Sequence, residues 1–268
     1  MTRRRTALAL AAAALAVAAA VIWRGVSSNS AAPGASAAEF AAATAALPRP
    51  ERPAFVPKTP VLLRSDETRA RFAPVLRDVE AHARPAAASP VVVNLERQTP
   101  EGTTNIVLVL GEAASANRQW VHVRLPVLPN NQTAWVPRTD LGGYEFVHTR
   151  LVVDRERLTA TLLYDGRVVF RAPIGVGTPQ SPTPSGRFYV RDKVSGFGDP
   201  FYGPIAYGTS ARSAVLTDWP AGGFVGIHGT NEPELIPGRV SHGCVRMRNT
   251  DILRLSRLMP VGTPLTIR

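Results

Sequence analysis

The chain has 268 residues, 45% of them hydrophobic and 19% charged, with a formal net charge of +11 and one cysteine. That suffices for one large domain or two ordinary ones, and it excludes a disordered polyelectrolyte and a disulfide-stapled miniprotein. The basic balance suits an anionic surface, whereas nucleic acid is a poor partner because no aromatic-interleaved basic stripe exists.

Residues 1–24 form a separate object. Arg3, Arg4 and Arg5 precede an uncharged stretch from Thr6 to Trp23, closed by Arg24. This predicts export through a signal peptide or an uncleaved signal anchor, and hence an extracytoplasmic location, with membrane contact if the segment is kept. Ala35-Ser36-Ala37 offers small residues for cleavage but lies well past the apolar run. Residues 25–85 read as an Ala/Pro/Ser-rich linker, with a short helix predicted over Asp66 to Ala83 from the spacing of Phe72, Val75, Leu76 and Val79.

Short strands follow. Val91 to Val93, Asn105 to Leu110, Trp120 to Leu125 and Ala134 to Val136 are separated by turn residues such as Pro129, Asn130 and Asn131. Trp120 and Trp135 are expected in a core, and His122, alternating with Val121 and Val123, is expected to point outward and do no chemistry. Over residues 86–143 the pattern resembles a small bacterial SH3-like β-barrel, a module that often accompanies cell-wall enzymes.

Residues 147–268 are mainly β with one late helix, an α+β domain. Asp165-Gly166 predicts a hairpin between Leu158 to Tyr164 and Arg167 to Ala172. Thr183-Pro184-Ser185-Gly186 is a turn feeding the strand Arg187 to Arg191. A helix is predicted after Cys244, capped by Asn249 or Thr250, with Ile252, Leu255, Leu258 and Met259 on its apolar face, and Pro264 to Ile267 supplies a last strand.

The chemistry concentrates near Cys244. A lone thiol has no internal disulfide partner, and in an oxidising compartment an unused thiol is a liability. His228 lies sixteen residues upstream, and His242 two residues upstream. An imidazole near a thiol can take its proton and favour the thiolate. His228, ending the apolar run Phe224 to Ile227, is the first choice of base, and His242 is the alternative or a pocket residue. Gly243 keeps a side chain away from a tetrahedral intermediate, and the N–H groups of Gly243 and Cys244 are candidates for an oxyanion hole. Zinc on His228, His242 and Cys244 lacks a clear fourth ligand, so neither metal nor cofactor is expected.

Gly226-Ile227-His228-Gly229, a spacer of twelve residues from His228, then Ser241-His242-Gly243-Cys244-Val245-Arg246-Met247 resembles the signature of YkuD-type L,D-transpeptidases. Gly175-Val176-Gly177 and Phe201 to Tyr207 fit the same family. The resemblance implies a β-sandwich catalytic domain acting on peptidoglycan stem peptides. In it Cys244 is the nucleophile, His228 the proton donor and acceptor, a carbonyl near Gly229 the ring's orienting partner, and Ser241 a support. It also implies 3→3 cross-linking through a thioester and acylation by carbapenem β-lactams. Arg246 stands where many members carry asparagine; a guanidinium there could pair with a peptide carboxylate. Tyr202 and Tyr207 are candidate lid and substrate residues. Hydrolysis of stem peptides by the same Cys/His pair is the competing enzyme reading. A non-catalytic wall-glycan adaptor with a redox-sensing Cys244 is the other. Acceptor choice and oligomeric state are left open.

Overall fold

A computed structural model describes residues 61–62, 68–195, 199–216 and 223–268. The predicted signal segment, most of the linker and the start of the predicted helix lie outside the described residues. Among them no helix is long and apolar enough to cross a membrane. The described residues belong to one unit, built on two sheets.

The first sheet has eight strands: β1 (Val61–Leu62), β2 (Ala70–Pro74), β3 (Val79–His82), β4 (Val91–Leu95), β5 (Ile106–Ser115), β6 (Arg118–Arg124), β7 (Thr133–Pro137) and β8 (Glu145–Val147). Its order is β4-β3-β7-β6-β5-β2-β8, with β1 paired to β5. The helix expected from Asp66 to Ala83 is replaced, over its described part, by β2 and β3. Phe72 and Leu108 pair across β2 and β5, and this pairing outweighs a helical spacing that rested on four apolar residues. The sheet therefore begins before residue 86, and residues 70–82 belong to it rather than to a linker. Trp120 and Trp135 are buried as expected. His122 is half-buried, stacks on Trp135 at 4.6 Å between centroids and bonds Thr133 Oγ1 at 2.9 Å.

The second sheet has ten strands: β9 (Thr149–Asp154), β10 (Thr159–Tyr164), β11 (Arg167–Pro173), β12 (Gly175–Gly177), β13 (Gly186–Ser195), β14 (Ile205–Arg212), β15 (Phe224–His228), β16 (Gly238–Ser241), β17 (Val245–Arg246) and β18 (Pro264–Ile267). The hairpin turn at Asp165 (φ 47°) and Gly166 (φ 75°) forms as predicted, joining β10 to β11. Strand β13 changes partner midway: Gly186 to Tyr189 pair with β18, and Val190 to Ser195 with β14. That switch divides the sheet into two halves that share one apolar core, including Leu162, Phe170, Val190, Ile227 and Met247.

Helix α1 (Asn249–Ser256) closes this core through Ile252 and Leu255, and Met259 follows. Leu258, expected on the apolar face, is instead exposed, because the helix ends at Ser256. Neither Asn249 nor Thr250 caps it; the N-cap position is Arg248 and carries no side-chain cap bond.

Polar and apolar contacts join the two sheets. Tyr189 is fully buried, donates its hydroxyl to Ile106 O at 3.0 Å, and packs with Phe72, Leu108 and Val147. Asn130 bonds both backbone groups of Arg212, and Asn131 Oδ1 accepts the Arg187 N–H. These side-chain amides satisfy strand groups that would otherwise be orphaned.

Candidate active site

Two strand ends bring the predicted pair together. β15 carries His228 at its last position, and β17 begins one residue after Cys244; the two strands pair in parallel, Ile227 with Val245 and His228 with Arg246. Cys244 and His228 line the same pocket, with Phe201, Tyr202, Ser241, His242 and Arg246. A methyl group placed on Gly226 would touch both side chains, 3.8 Å from Cys244 Sγ and 3.9 Å from His228 Cδ2, so the two flank the same glycine.

The imidazole has one assigned tautomer. His228 Nδ1 lies 2.6 Å from Gly229 O, and a carbonyl only accepts, so Nδ1 carries the hydrogen and Nε2 is the bare, basic nitrogen. Phe201 and Tyr202, on a 3-10 turn over Pro200–Tyr202, cover the ring at 6.0 and 5.1 Å between centroids. That turn sits close to the histidine loop: a methyl group on Gly203 would fall 2.6 Å from Gly229 Cα and 2.4 Å from Asn249 Oδ1.

Burial under these rings pulls His228 down to about 4; the Gly229 carbonyl opposes the shift and the Arg246 charge adds to it. Burial pushes the Cys244 thiol up, against the Gly226 N–H donated to Sγ at 3.3 Å and the Arg246 charge. Both directions favour the uncharged forms. Desolvation is the largest cause at both groups.

The turn holding Cys244 is pinned by hydroxyls. Ser241 Oγ donates to Cys244 O at 2.6 Å and accepts the Gly243 N–H at 3.1 Å. Thr183, 1% exposed, donates to Gly243 O and accepts the Gly177 N–H, each at 2.8 Å. Gly243 has φ 124°, and the nearest atoms to an added methyl are 3.8 Å away. Backbone conformation, not crowding by the protein, requires glycine there. Its N–H is already engaged by Ser241, which leaves Cys244 N–H as the free-standing candidate of the proposed oxyanion pair.

Three predicted substrate residues resolve differently. Tyr202 lines the pocket. Tyr207 does not: it is fully buried in the core and its hydroxyl donates to Met259 O at 3.1 Å, because the strand alternation of β14 turns it inward. Arg246 does line the pocket, yet its Nη1 pairs with Glu232 Oε2 at 2.8 Å and its guanidinium lies 4.4 Å over Phe201. It is an internal clamp between two loops rather than an open carboxylate receptor. Gly229 supplies the carbonyl for His228 and admits no side chain, since a methyl would sit 2.3 Å from Asn249 Oδ1. His242 is exposed at the rim, as suits a pocket residue rather than the base.

Sequence reasoning missed Asn249, Thr183 and Glu232. Asn249 was read as a helix cap; its Oδ1 instead accepts the Thr230 N–H at 2.9 Å and so ties the helix start to the histidine loop. No local pattern distinguishes the two uses of such a residue.

Residues 148–267 match the family model of the L,D-transpeptidase catalytic domain, YkuD. The chain is 38% identical over 109 residues to the putative L,D-transpeptidase YkuD of Bacillus subtilis (strain 168), covering 41% of this chain and 59% of that protein. It is 36% identical over 118 residues to the YkuD of Bacillus licheniformis, covering 44% and 64%. The chain thus spans about three fifths of the length of these curated relatives. Among solved structures, the catalytic domain of the Enterococcus faecium L,D-transpeptidase shows 28% identity and a TM-score of 0.33, over 45% of this chain and 96% of that one.

Proposed function

We propose that this chain, whose residues 148–267 are an L,D-transpeptidase catalytic domain, forms 3→3 cross-links between peptidoglycan stem peptides through a Cys244 thioester. The observation that carries the reading is His228: its Nδ1–H is held by Gly229 O while its bare Nε2 shares a pocket with the only thiol. His228 acts as the general base that takes the thiol proton during attack.

Cys244 Sγ bonds to the carbonyl carbon of the third stem residue as its proton passes to His228 Nε2. The carbon–nitrogen bond to the terminal D-Ala then breaks, and the departing amine takes that proton. An amine from a second stem attacks the thioester, loses a proton to His228, and releases the thiol. Cys244 N–H faces the developing oxyanion, and the Phe201–Tyr202 cover excludes water from the thioester. Carbapenem β-lactams acylate the same sulfur. The chain works outside the cytoplasm, delivered by its N-terminal segment, and its first sheet, read as SH3-like, contacts wall glycan.

Incubating the full chain with disaccharide-tetrapeptide and analysing the products tests this reading. Dimers that vanish in Cys244→Ala support it. Shortened monomers alone would replace transpeptidation by hydrolysis, and no product from a folded chain would remove both.

A further inference from the structure

A second cavity, of about 320 Å³, opens between the two sheets. Arg191 of β13, Arg212 of β14 and Phe224 of β15 line it from one side, and Val93, Asn105 and Val127 from the other. Arg191 is only 3% exposed, yet among the described residues its buried Nε has no acceptor and no carboxylate pairs with it. Its guanidinium carbon stands 4.1 Å from the Phe224 ring centre, and that of Arg212 stands 4.6 Å from the same ring. Burial and the Arg191 charge hold Arg212 below the usual arginine range.

Burial and the Glu101 carboxylate push Asp192, next to Arg191 on β13, up toward its neutral form, while the Arg191 charge opposes the shift. Glu96 also lines the cavity but is exposed to solvent and makes no ion pair with Arg191 among the described residues. A buried guanidinium without an anion is expensive, and guanidinium groups bind carboxylates through paired N–H donors. Asn105 adds the complementary feature. Its Nδ2 donates to Glu96 O at 2.8 Å, which orients the amide, and its Oδ1 is buried with no donor. One cavity of mixed polar and apolar lining therefore presents, among the described residues, a guanidinium Nε without an acceptor and an amide oxygen without a donor. Phe224 also forms a wall of the Cys244 pocket, so the two spaces share a ring.

We infer that this cavity is a second peptide subsite, binding a terminal carboxylate on Arg191 and Arg212 and the adjoining amide N–H on Asn105. The identity of the peptide as a stem rests on the proposed function; the carboxylate chemistry does not.

The test uses full-length Cys244→Ala protein, isotopically labelled, so that turnover plays no part. N-acetyl-D-alanine is titrated in, followed by its C-terminal amide, and backbone amide signals are tracked. The carboxylate is expected to move Val93, Asn105 and Val127, the amide probe is not, and Arg191→Gln or Arg212→Gln should weaken binding about ten-fold or more. Arg212, being half-buried, serves if Arg191→Gln does not fold. Equal shifts from both probes, shifts confined to the Cys244 turn, undiminished binding in the variants, or no shift at all (a cavity filled by water alone) would each overturn the inference. Cross-linking by the wild-type chain stands or falls separately, so failure here is distinguishable from failure of the proposed function.

Discussion

Each sheet buries one histidine whose Nδ1 is bonded to a backbone carbonyl: His82 to Ser89 O at 2.9 Å, and His228 to Gly229 O at 2.6 Å. Both are almost fully buried, and both meet an aromatic ring edge-on, Trp120 for His82 and Tyr202 for His228. What differs is the other side of the ring. His82 Nε2 faces Glu80 at 3.7 Å beside the tryptophan cluster, whereas His228 opens on a pocket that contains a thiol. A buried, oriented histidine therefore serves both sheets as a structural device, and the thiol in the same pocket is what marks the candidate site.

Replacing the two histidines separately should give the largest contrast. His228→Ala should lower kcat/KM for cross-linking by about 10²–10⁴-fold with the fold kept. His82→Ala should leave kcat/KM within a few fold but cost about 1–3 kcal/mol of stability in urea unfolding. Equal kinetic losses at both positions would dissolve the distinction.

The pH response sharpens it further. His228 folded sits at about 4, below its unfolded value near 6.5. Between those values the unfolded chain binds more protons, so stability is complete above about 6.5 and falls as pH drops toward 4. The loss is on the order of 3 kcal/mol, and His228→Gln should remove it. The acid limb of kcat/KM should lie near 4, well below an ordinary histidine. Iodoacetamide should alkylate Cys244 at pH 7 more slowly than free cysteine, since burial raises the thiol. Faster alkylation would mean an ion pair and reverse the neutral assignment.

Asn249→Ala tests the tie between helix and histidine loop. It should reduce kcat about ten-fold through a misplaced ring, with a smaller change in KM and a Tm only a few degrees lower. Unchanged kcat would confine Asn249 to structure. The smallest effect is expected from Tyr207→Phe, which removes one buried hydrogen bond to Met259 O and should cost about 1 kcal/mol with kcat unaltered. A kinetic defect there would restore Tyr207 to the site.

Much of the candidate site was legible because Cys244, His228 and their glycines sit in two short runs, each a strand end with its turn. The Asp165-Gly166 hairpin and the final helix were legible for the same reason: their signals are local. The β2–β3 region was misread because four apolar residues fit a helical spacing while the partners of Phe72 and Val79, Leu108 on β5 and Leu95 on β4, lie further along the chain. Tyr207 was misassigned because neighbouring aromatics Phe201 and Tyr202 belong to a turn, whereas Tyr207 belongs to a strand whose alternation buries it. A fragment beginning near residue 86 would remove β2 and β3, so activity work belongs on the longer chain.

Residue order alone pointed to one thiol and one histidine with flanking glycines as the candidate site, since reactivity depends on which functional groups exist and where turns permit them. Tertiary structure decided the burial that biases both groups toward their uncharged forms, the engagement of Arg246 by Glu232 and Phe201, and the use of Asn249 as a tether. Those outcomes depend on burial and on partners distant in sequence, and desolvation is a property of the packed molecule that no short segment carries.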